Sequence, residues 1–139
     1  MNPNPSQSAM QGAALLRVAL GLMWISHALL KLLVFTLPGT AQFFASVGLP
    51  GFLAYPVFGA ELLGGLAILL GVYARQTALL LVPVMATATL VHLPNGWVFT
   101  APGGGWEYPA FLIVASLAVW LNGDGVAAIR SSKRLAPAW

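Results

Sequence analysis

The chain has 139 residues, of which 59% are hydrophobic and 6% are charged, and its formal net charge is +3. Soluble domains carry about 25% charged residues, so this composition excludes a water-soluble globular protein and predicts a protein of the lipid bilayer. The chain has no cysteine, which excludes disulfides and thiolate metal sites, and its few scattered basic residues exclude nucleic-acid binding.

Four apolar segments follow one another along the chain and predict an all-α, integral membrane four-helix bundle. They cover approximately residues 14–35, 53–72, 77–97 and 108–121. A bilayer span needs roughly 20 residues, at about 1.5 Å per residue. The first three segments meet this length. The fourth is short, so we expect it to begin within residues 105–107 or to continue toward Ile129.

The connection between the first two segments has the sequence signature of a short helix. Pro38-Gly39 precedes residues 40–47 and Gly48-Leu49-Pro50 follows them, which are start and stop signals. The segment contains two phenylalanines, so we expect a short helix that lies in the plane of the membrane interface, in the first outer loop.

The distribution of basic residues predicts the orientation. Arg17, Arg75 and the basic residues after Ile129 fall on one side of the membrane, whereas the connections 36–52 and 94–107 contain neither lysine nor arginine. The positive-inside rule therefore predicts a multi-pass protein of the inner (plasma) membrane with cytoplasmic N- and C-termini.

The same features divide the chain into three parts. We expect a disordered N-terminal tail over residues 1–12, a four-transmembrane-helix domain over residues 13–125, and a basic cytoplasmic C-terminal tail over residues 126–139.

The first apolar segment contains a polar stripe. Arg17, Trp24 and Lys31 are spaced by seven residues, and His27 lies between the last two, so all four share one face of a helix. Lipid cannot satisfy a guanidinium, an imidazole or an ammonium. The stripe is therefore expected to face the interior of the bundle.

Helix rise predicts that titratable residues from all four segments gather in the outer half of the bilayer. At about 1.5 Å per residue, Lys31 and His92 lie about 6 Å deep, and His27 and Glu61 about 12 Å deep. Glu107 marks the outer start of the fourth segment. We expect these five residues to form a ligand-binding or proton-handling group in which His27 and Lys31 meet Glu61.

Other residues complete the expected site. Trp24 and Trp106 are expected to line its apolar wall. On the inner side, Arg17, Arg75 and Asp124 are expected to form a second polar cluster, in which Asp124 caps residues 126–132 or pairs with an arginine.

The sequence identifies no catalytic residue and no metal site. The two histidines come from different helices at unequal depths and show no HxxxH or ExxH spacing, so we expect no metal and no haem.

These residues lie in stretches that resemble the DoxX family of small four-helix membrane proteins, over about residues 16–131. The stretches are LLRVALGLMWISHALLKL, Gly48-Leu49-Pro50, GAELLGGLAILLGVYAR, Gly105-Trp106-Glu107 and Asn122-Gly123-Asp124-Gly125. The resemblance marks a set of family-pattern polar positions, namely Arg17, His27, Lys31, Glu61, Arg75 and Glu107. The chain departs from the pattern after Gly125, where the family often has Ser-Leu-Asp and this chain has Ala-Ala-Ile-Arg.

The family is named for a subunit of an archaeal thiosulfate:quinone oxidoreductase. The resemblance therefore implies an accessory, non-catalytic subunit of a quinone-linked membrane redox system. In the mechanism that we predict, His27 and Lys31 donate hydrogen bonds to a quinone headgroup or a similar small polar molecule, and Glu61 exchanges protons through His27. The chain encodes no redox cofactor, so electrons come from a membrane or peripheral redox protein.

Two alternatives stay open at the level of sequence. The polar cluster is also what a structural or assembly protein without a ligand would use to fix the register of its helices. A transporter of small solutes is the second alternative, and four spans would form a pathway only as a homo-oligomer.

Overall fold

The structure is a computed structural model that describes residues 5–132. Five α-helices account for most of this range, which confirms the all-α prediction. Helices α1 to α5 cover Pro5–Leu29, Leu37–Ser46, Ala54–Leu70, Ala74–His92 and Glu107–Asn122. A wide π-helical turn, Leu30–Val34, prolongs α1, and its backbone bond runs from Phe35 N to Leu30 O at 3.0 Å.

The long helices are those of a membrane protein. Three helical segments are long and apolar enough to cross a bilayer, namely Ser6–Val34, Gly51–Leu70 and Ala74–Asn95. Helix α5 is apolar but has 16 residues. At about 1.5 Å per residue it reaches about 24 Å, which is less than the hydrocarbon thickness of about 30 Å. It begins at Glu107, as the sequence allows, and does not continue toward Ile129.

Two glycines let α1 and α3 approach closely. A β-carbon on Gly65 would lie 2.9 Å from the backbone nitrogen of Ile25, and one on Gly21 would lie 2.6 Å from that of Leu69. Helix α4 packs on α5, and contacts of α3 with α4 and of α1 with α5 close the bundle. The buried core consists of Leu20, Trp24, Ile68, Ala78, Leu81, Met85, Leu112, Ala115 and Val119.

The short helix predicted in the first outer loop is present as α2. Thr36 caps it, because its side-chain oxygen accepts a hydrogen bond from Gly39 N at 3.2 Å, and Pro38 lies in the first turn, where its missing N–H is not needed. Its position in the plane of the membrane interface stays a prediction.

The N-terminal boundary differs from the predicted one. Helix α1 begins at Pro5, so residues 5–12 belong to the first helix and not to a disordered tail. Proline is well suited to a first helical position, and the glutamines, alanines and methionine that follow are good helix formers, which explains the earlier start.

The beginning of the predicted C-terminal tail is also ordered. Ile129 N donates to Leu70 O, Arg130 N donates to Gly71 O, and Tyr73 N donates to Arg130 O. Residues 126–132 therefore pack against the end of α3. Lys133, Arg134 and the rest of the predicted basic tail lie outside the described residues, and the cytoplasmic location of the termini stays a prediction.

Candidate functional site

A cavity of about 1410 Å³ lies between the helices, and its wall is mostly apolar. Side chains of all five helices and of the α4–α5 loop contribute to this wall. All five residues predicted to form the ligand-binding or proton-handling group line it, namely His27, Lys31, Glu61, His92 and Glu107.

The structure places Lys31 directly against Glu61. Nζ of Lys31 donates to Oε1 at 3.0 Å and to Oε2 at 2.8 Å. The Glu61 side chain is 1% exposed and the Lys31 side chain 17%. Within residues 5–132 this is the one salt bridge, and it leaves one ammonium N–H of Lys31 for another acceptor.

His27 lies near the end of α1, one helical turn before Lys31, and its ring contacts a backbone carbonyl of the same helix. Its Nδ1 lies 2.8 Å from Met23 O, and its ring stacks on Tyr108 with centroids 5.4 Å apart and planes inclined by 22°. A carbonyl oxygen only accepts, so Nδ1 carries a proton. In the neutral ring Nε2 then accepts a hydrogen bond, and only the protonated ring donates from Nε2. Donation from His27 to a ligand stays a prediction.

His92 shows the same local arrangement on α4. Its Nδ1 lies 2.7 Å from Ala88 O. The α4–α5 loop passes close to its ring, because a β-carbon on Gly104 would lie 3.3 Å from Cδ2 of His92.

Glu107 lines the cavity but is held by the α4–α5 loop. Its Oε1 accepts a hydrogen bond from Phe99 N at 2.8 Å. The loop is compact, since Trp106 N donates to Gly96 O and Glu107 N donates to Trp97 O. Glu107 therefore orders the loop, and among the described residues no salt bridge joins it to the lysine or to either histidine.

The two tryptophans predicted for the wall have different positions. Trp106 lines the cavity and meets Trp97 edge to face, with centroids 4.5 Å apart. Trp24 is 1% exposed, belongs to the hydrophobic core and is not part of the cavity wall, which corrects the prediction. Trp24 and His27 are three residues apart, so they point about 60° apart around the helix, enough to separate core from cavity.

The inner polar cluster is built on backbone carbonyls. Arg17 is 2% exposed, and its guanidinium donates to Ile68 O and Leu69 O at the end of α3 and to Asp124 O and Val126 O beyond α5. The last carbonyls of a helix have no partner within the helix and carry partial negative charge, so a cation there is well placed.

Arg75 does the same for α5, where Nε donates to Trp120 O at 2.6 Å. The Asp124 carboxylate binds neither arginine side chain among the described residues. It accepts hydrogen bonds from the backbone nitrogen and the hydroxyl of Ser132. Within the described part of the chain, Asp124 therefore neither pairs with an arginine nor caps the start of residues 126–132. Both arginine side chains bond backbone carbonyls, and the carboxylate bonds Ser132 at the far end of that segment.

Tyr108 is the site residue that the sequence did not reveal. It lines the cavity, stacks on His27, and its buried hydroxyl has no hydrogen-bond partner among the described residues. An aromatic residue near a membrane boundary usually belongs to the interfacial belt, so the sequence did not indicate that Tyr108 lines the cavity. Residues 5–132 contain no group of three or more His, Asp or Glu side chains able to hold a metal ion.

Comparison with known proteins agrees with the resemblance noted in the sequence. The sequence profile of the DoxX family matches residues 12–93. The chain is 34% identical to the Bacillus subtilis (strain 168) protein named "Putative oxidoreductase CatD" over 114 residues, which cover 81% of this chain and 80% of that protein. No solved structure matches the chain significantly. The chain belongs to the DoxX family.

Proposed function

We propose that this DoxX protein is an accessory subunit of a membrane redox system and binds a quinone-type headgroup in the cavity described above. The observation that supports the proposal most is the Lys31–Glu61 pair, which lies in the wall of a large, mostly apolar cavity beside His27. A water-soluble polar ligand would need more polar contacts than this mostly apolar wall offers. An aromatic headgroup on a lipid tail suits a wall of this composition.

Each part of the cavity has a role in this proposal. The remaining N–H of Lys31 donates to a ligand oxygen, and the Glu61 carboxylate keeps the ammonium in place and exchanges protons with the headgroup. Phe43 and Phe44 of α2 supply apolar wall for the ring or the tail. His27 is oriented by its stacking on Tyr108.

Electrons reach the headgroup from a partner redox protein in this account, and the chain's own residues bind the headgroup and handle its protons. The name of the Bacillus relative supports a link to redox chemistry. The protein is proposed to cross the inner membrane four times with both termini in the cytoplasm, which places the cavity in the outer half of the bilayer.

The test is a titration of purified protein in lipid nanodiscs with a short-chain ubiquinone. Glu61→Gln is expected to weaken binding about tenfold, because the loss of one charged hydrogen-bond partner costs about 1.5–3 kcal/mol. Ser26→Ala is the matched control, since Ser26 is exposed on α1 and bonds only its own helix at Leu22 O. Equal affinity of wild type and Glu61→Gln would remove Glu61 from the site.

One observation also favours a structural role. The Lys31–Glu61 pair joins the π-helical turn after α1 to α3, so it stabilises the bundle whether or not a ligand binds. The double variant Lys31→Met/Glu61→Gln separates the two functions.

A further inference from the structure

His27 and His92 share one hydrogen-bonding pattern on two different helices. In each, Nδ1 lies close to the carbonyl oxygen four residues earlier, Met23 O at 2.8 Å and Ala88 O at 2.7 Å. Because a carbonyl oxygen has no proton to give, Nδ1 is the protonated nitrogen in both rings. Each neutral ring is thereby fixed in the tautomer whose Nε2 has a free lone pair.

The free nitrogens belong to one cavity. Both rings line it, and neither Nε2 has a hydrogen-bond partner within residues 5–132. Lys31 lines the same cavity and uses two of its three N–H groups on Glu61. These three residues therefore offer a ligand one ammonium donor and two imidazole acceptors.

This set of groups distinguishes the two oxidation states of a quinone-type headgroup. The oxygens of a quinone only accept, so they satisfy Lys31 and leave both imidazole acceptors without a partner. The hydroxyls of a hydroquinone accept from Lys31 and also donate to an imidazole. An acceptor that loses water and gains no partner in an apolar cavity weakens binding.

We infer that the site prefers the reduced, hydroxyl-bearing form of its aromatic ligand, with a ligand hydroxyl donating to Nε2 of His27. The inference rests on the proposed function and adds the ligand's hydrogen-bonding form to it. His27 is chosen over His92 because it lies one helical turn from Lys31 on the face that bears the polar stripe. A ring that contacts Lys31 is then within reach of His27.

Three matched ligands test the inference on the full chain in nanodiscs at pH 8. They are a decyl-substituted hydroquinone, the corresponding quinone, and the dimethyl ether of the hydroquinone, which keeps the ring but cannot donate. Under anaerobic conditions the hydroquinone is expected to bind about tenfold more tightly than either of the others. In His27→Phe, which keeps an aromatic ring against Tyr108, this preference is expected to fall toward unity, and Ser26→Ala is expected to keep it.

The outcomes separate the inference from the proposed function. Binding of all three ligands with equal affinity, or tighter binding of the quinone, overturns the inference and leaves a quinone-type site in place. Binding of none of them overturns both. A preference that persists in His27→Phe overturns the assignment to His27. The wild-type series needs no variant, so it decides the preference even if His27→Phe does not fold.

Discussion

Nζ of Lys31 lies 3.0 and 2.8 Å from the two carboxylate oxygens of Glu61, so one ammonium on the π-helical turn after α1 holds both oxygens of a carboxylate on α3. The Glu61 side chain is 1% exposed, so the glutamate of this pair is buried. Removing one partner of such a pair is costly, whereas replacing both by neutral groups of similar size often is not. This asymmetry makes the pair suitable for separating stability from ligand binding.

We expect Lys31→Met and Glu61→Gln each to lower the free energy of unfolding by about 3 kcal/mol, the lower end of the cost of breaking a buried pair, since Lys31 is partly exposed. The double variant Lys31→Met/Glu61→Gln is expected to recover most of this loss, because no unpaired charge remains. Thermal or denaturant unfolding in detergent, followed by tryptophan fluorescence, gives the four free energies of the cycle.

The double variant also decides between the two proposed roles of the pair. If the cavity binds a quinone-type headgroup, the double variant is folded and loses ubiquinone binding. If the pair only stabilises the bundle, the folded double variant binds as wild type does. Strictly additive losses in the cycle would show that the two residues do not interact in the membrane.

The substitution Tyr108→Phe is expected to have opposite effects on the stability of the fold and on ligand affinity. Tyr108→Phe removes a buried hydroxyl without a partner and keeps the ring that stacks on His27. Without ligand, the variant is expected to be as stable as wild type or about 1 kcal/mol more stable. With ligand, its affinity is expected to fall, because Tyr108 lines the cavity and a bound headgroup would supply the partner that its hydroxyl lacks. A loss of stability without any change in affinity would assign the hydroxyl to the fold alone.

Two glycines of α3 test the close packing that brings Lys31 to Glu61. Gly65→Ala places a methyl group 2.9 Å from the backbone nitrogen of Ile25, which cannot move alone, and is expected to cost about 1–3 kcal/mol. Gly59→Ala is the matched control on the same helix, since its methyl group would meet nothing within 4 Å. We expect that change to be neutral or to stabilise by up to about 1 kcal/mol. Similar unfolding temperatures of the two variants would refute the close approach.

Even a conservative substitution of Arg17 is expected to destabilise the fold. Its planar fork bonds carbonyls of α3 and of the segment after α5, and a lysine ammonium cannot span the same set. Arg17→Lys is expected to cost about 2–4 kcal/mol, from two or more lost hydrogen bonds. Arg130→Lys is the control, because Arg130 is exposed and its main described side-chain contact is the Tyr73 ring at 5.0 Å. A thermal shift for Arg17→Lys no larger than that of the control would contradict this role.

The absence of native cysteine allows a clean test of the proposed orientation. Ser46→Cys, at the end of α2, is expected to react with a membrane-impermeant maleimide in intact cells. Ser131→Cys, in the segment packed on α3, is expected to react only after permeabilisation. The reverse labelling pattern would invert the topology.

The sequence predicted the helices and the Lys31–Glu61 contact well, because helix rise is constant. At about 1.5 Å per residue, Lys31 and Glu61 are expected to differ in depth by about 6 Å, roughly one helical turn, in adjacent antiparallel helices, and the long lysine side chain can span that difference. The same estimate of depth predicted that His27, His92 and Glu107 lie near this pair, and all three line the cavity.

What the sequence could not show was where each polar atom finds its partner. The Nδ1 atoms of His27 and His92 bond the carbonyl four residues earlier, and the guanidinium groups of Arg17 and Arg75 bond helix ends. Backbone carbonyls are present everywhere along the chain, so side-chain bonds to them leave no pattern in the sequence. The Asp124 carboxylate accepts from the backbone nitrogen and the hydroxyl of Ser132, and neither donor carries a charge that would have marked it in the sequence.

The most direct test of the account is photoaffinity labelling of the wild-type protein in native membranes with an azido-quinone, followed by mass spectrometry of the labelled peptides. If the cavity binds a quinone-type headgroup, labels are expected on peptides that contain His27 and Lys31, Glu61 or Tyr108, and excess unlabelled quinone is expected to abolish them. Labels confined to lipid-facing positions such as Leu63 and Leu80, or labels that excess quinone does not displace, would contradict it.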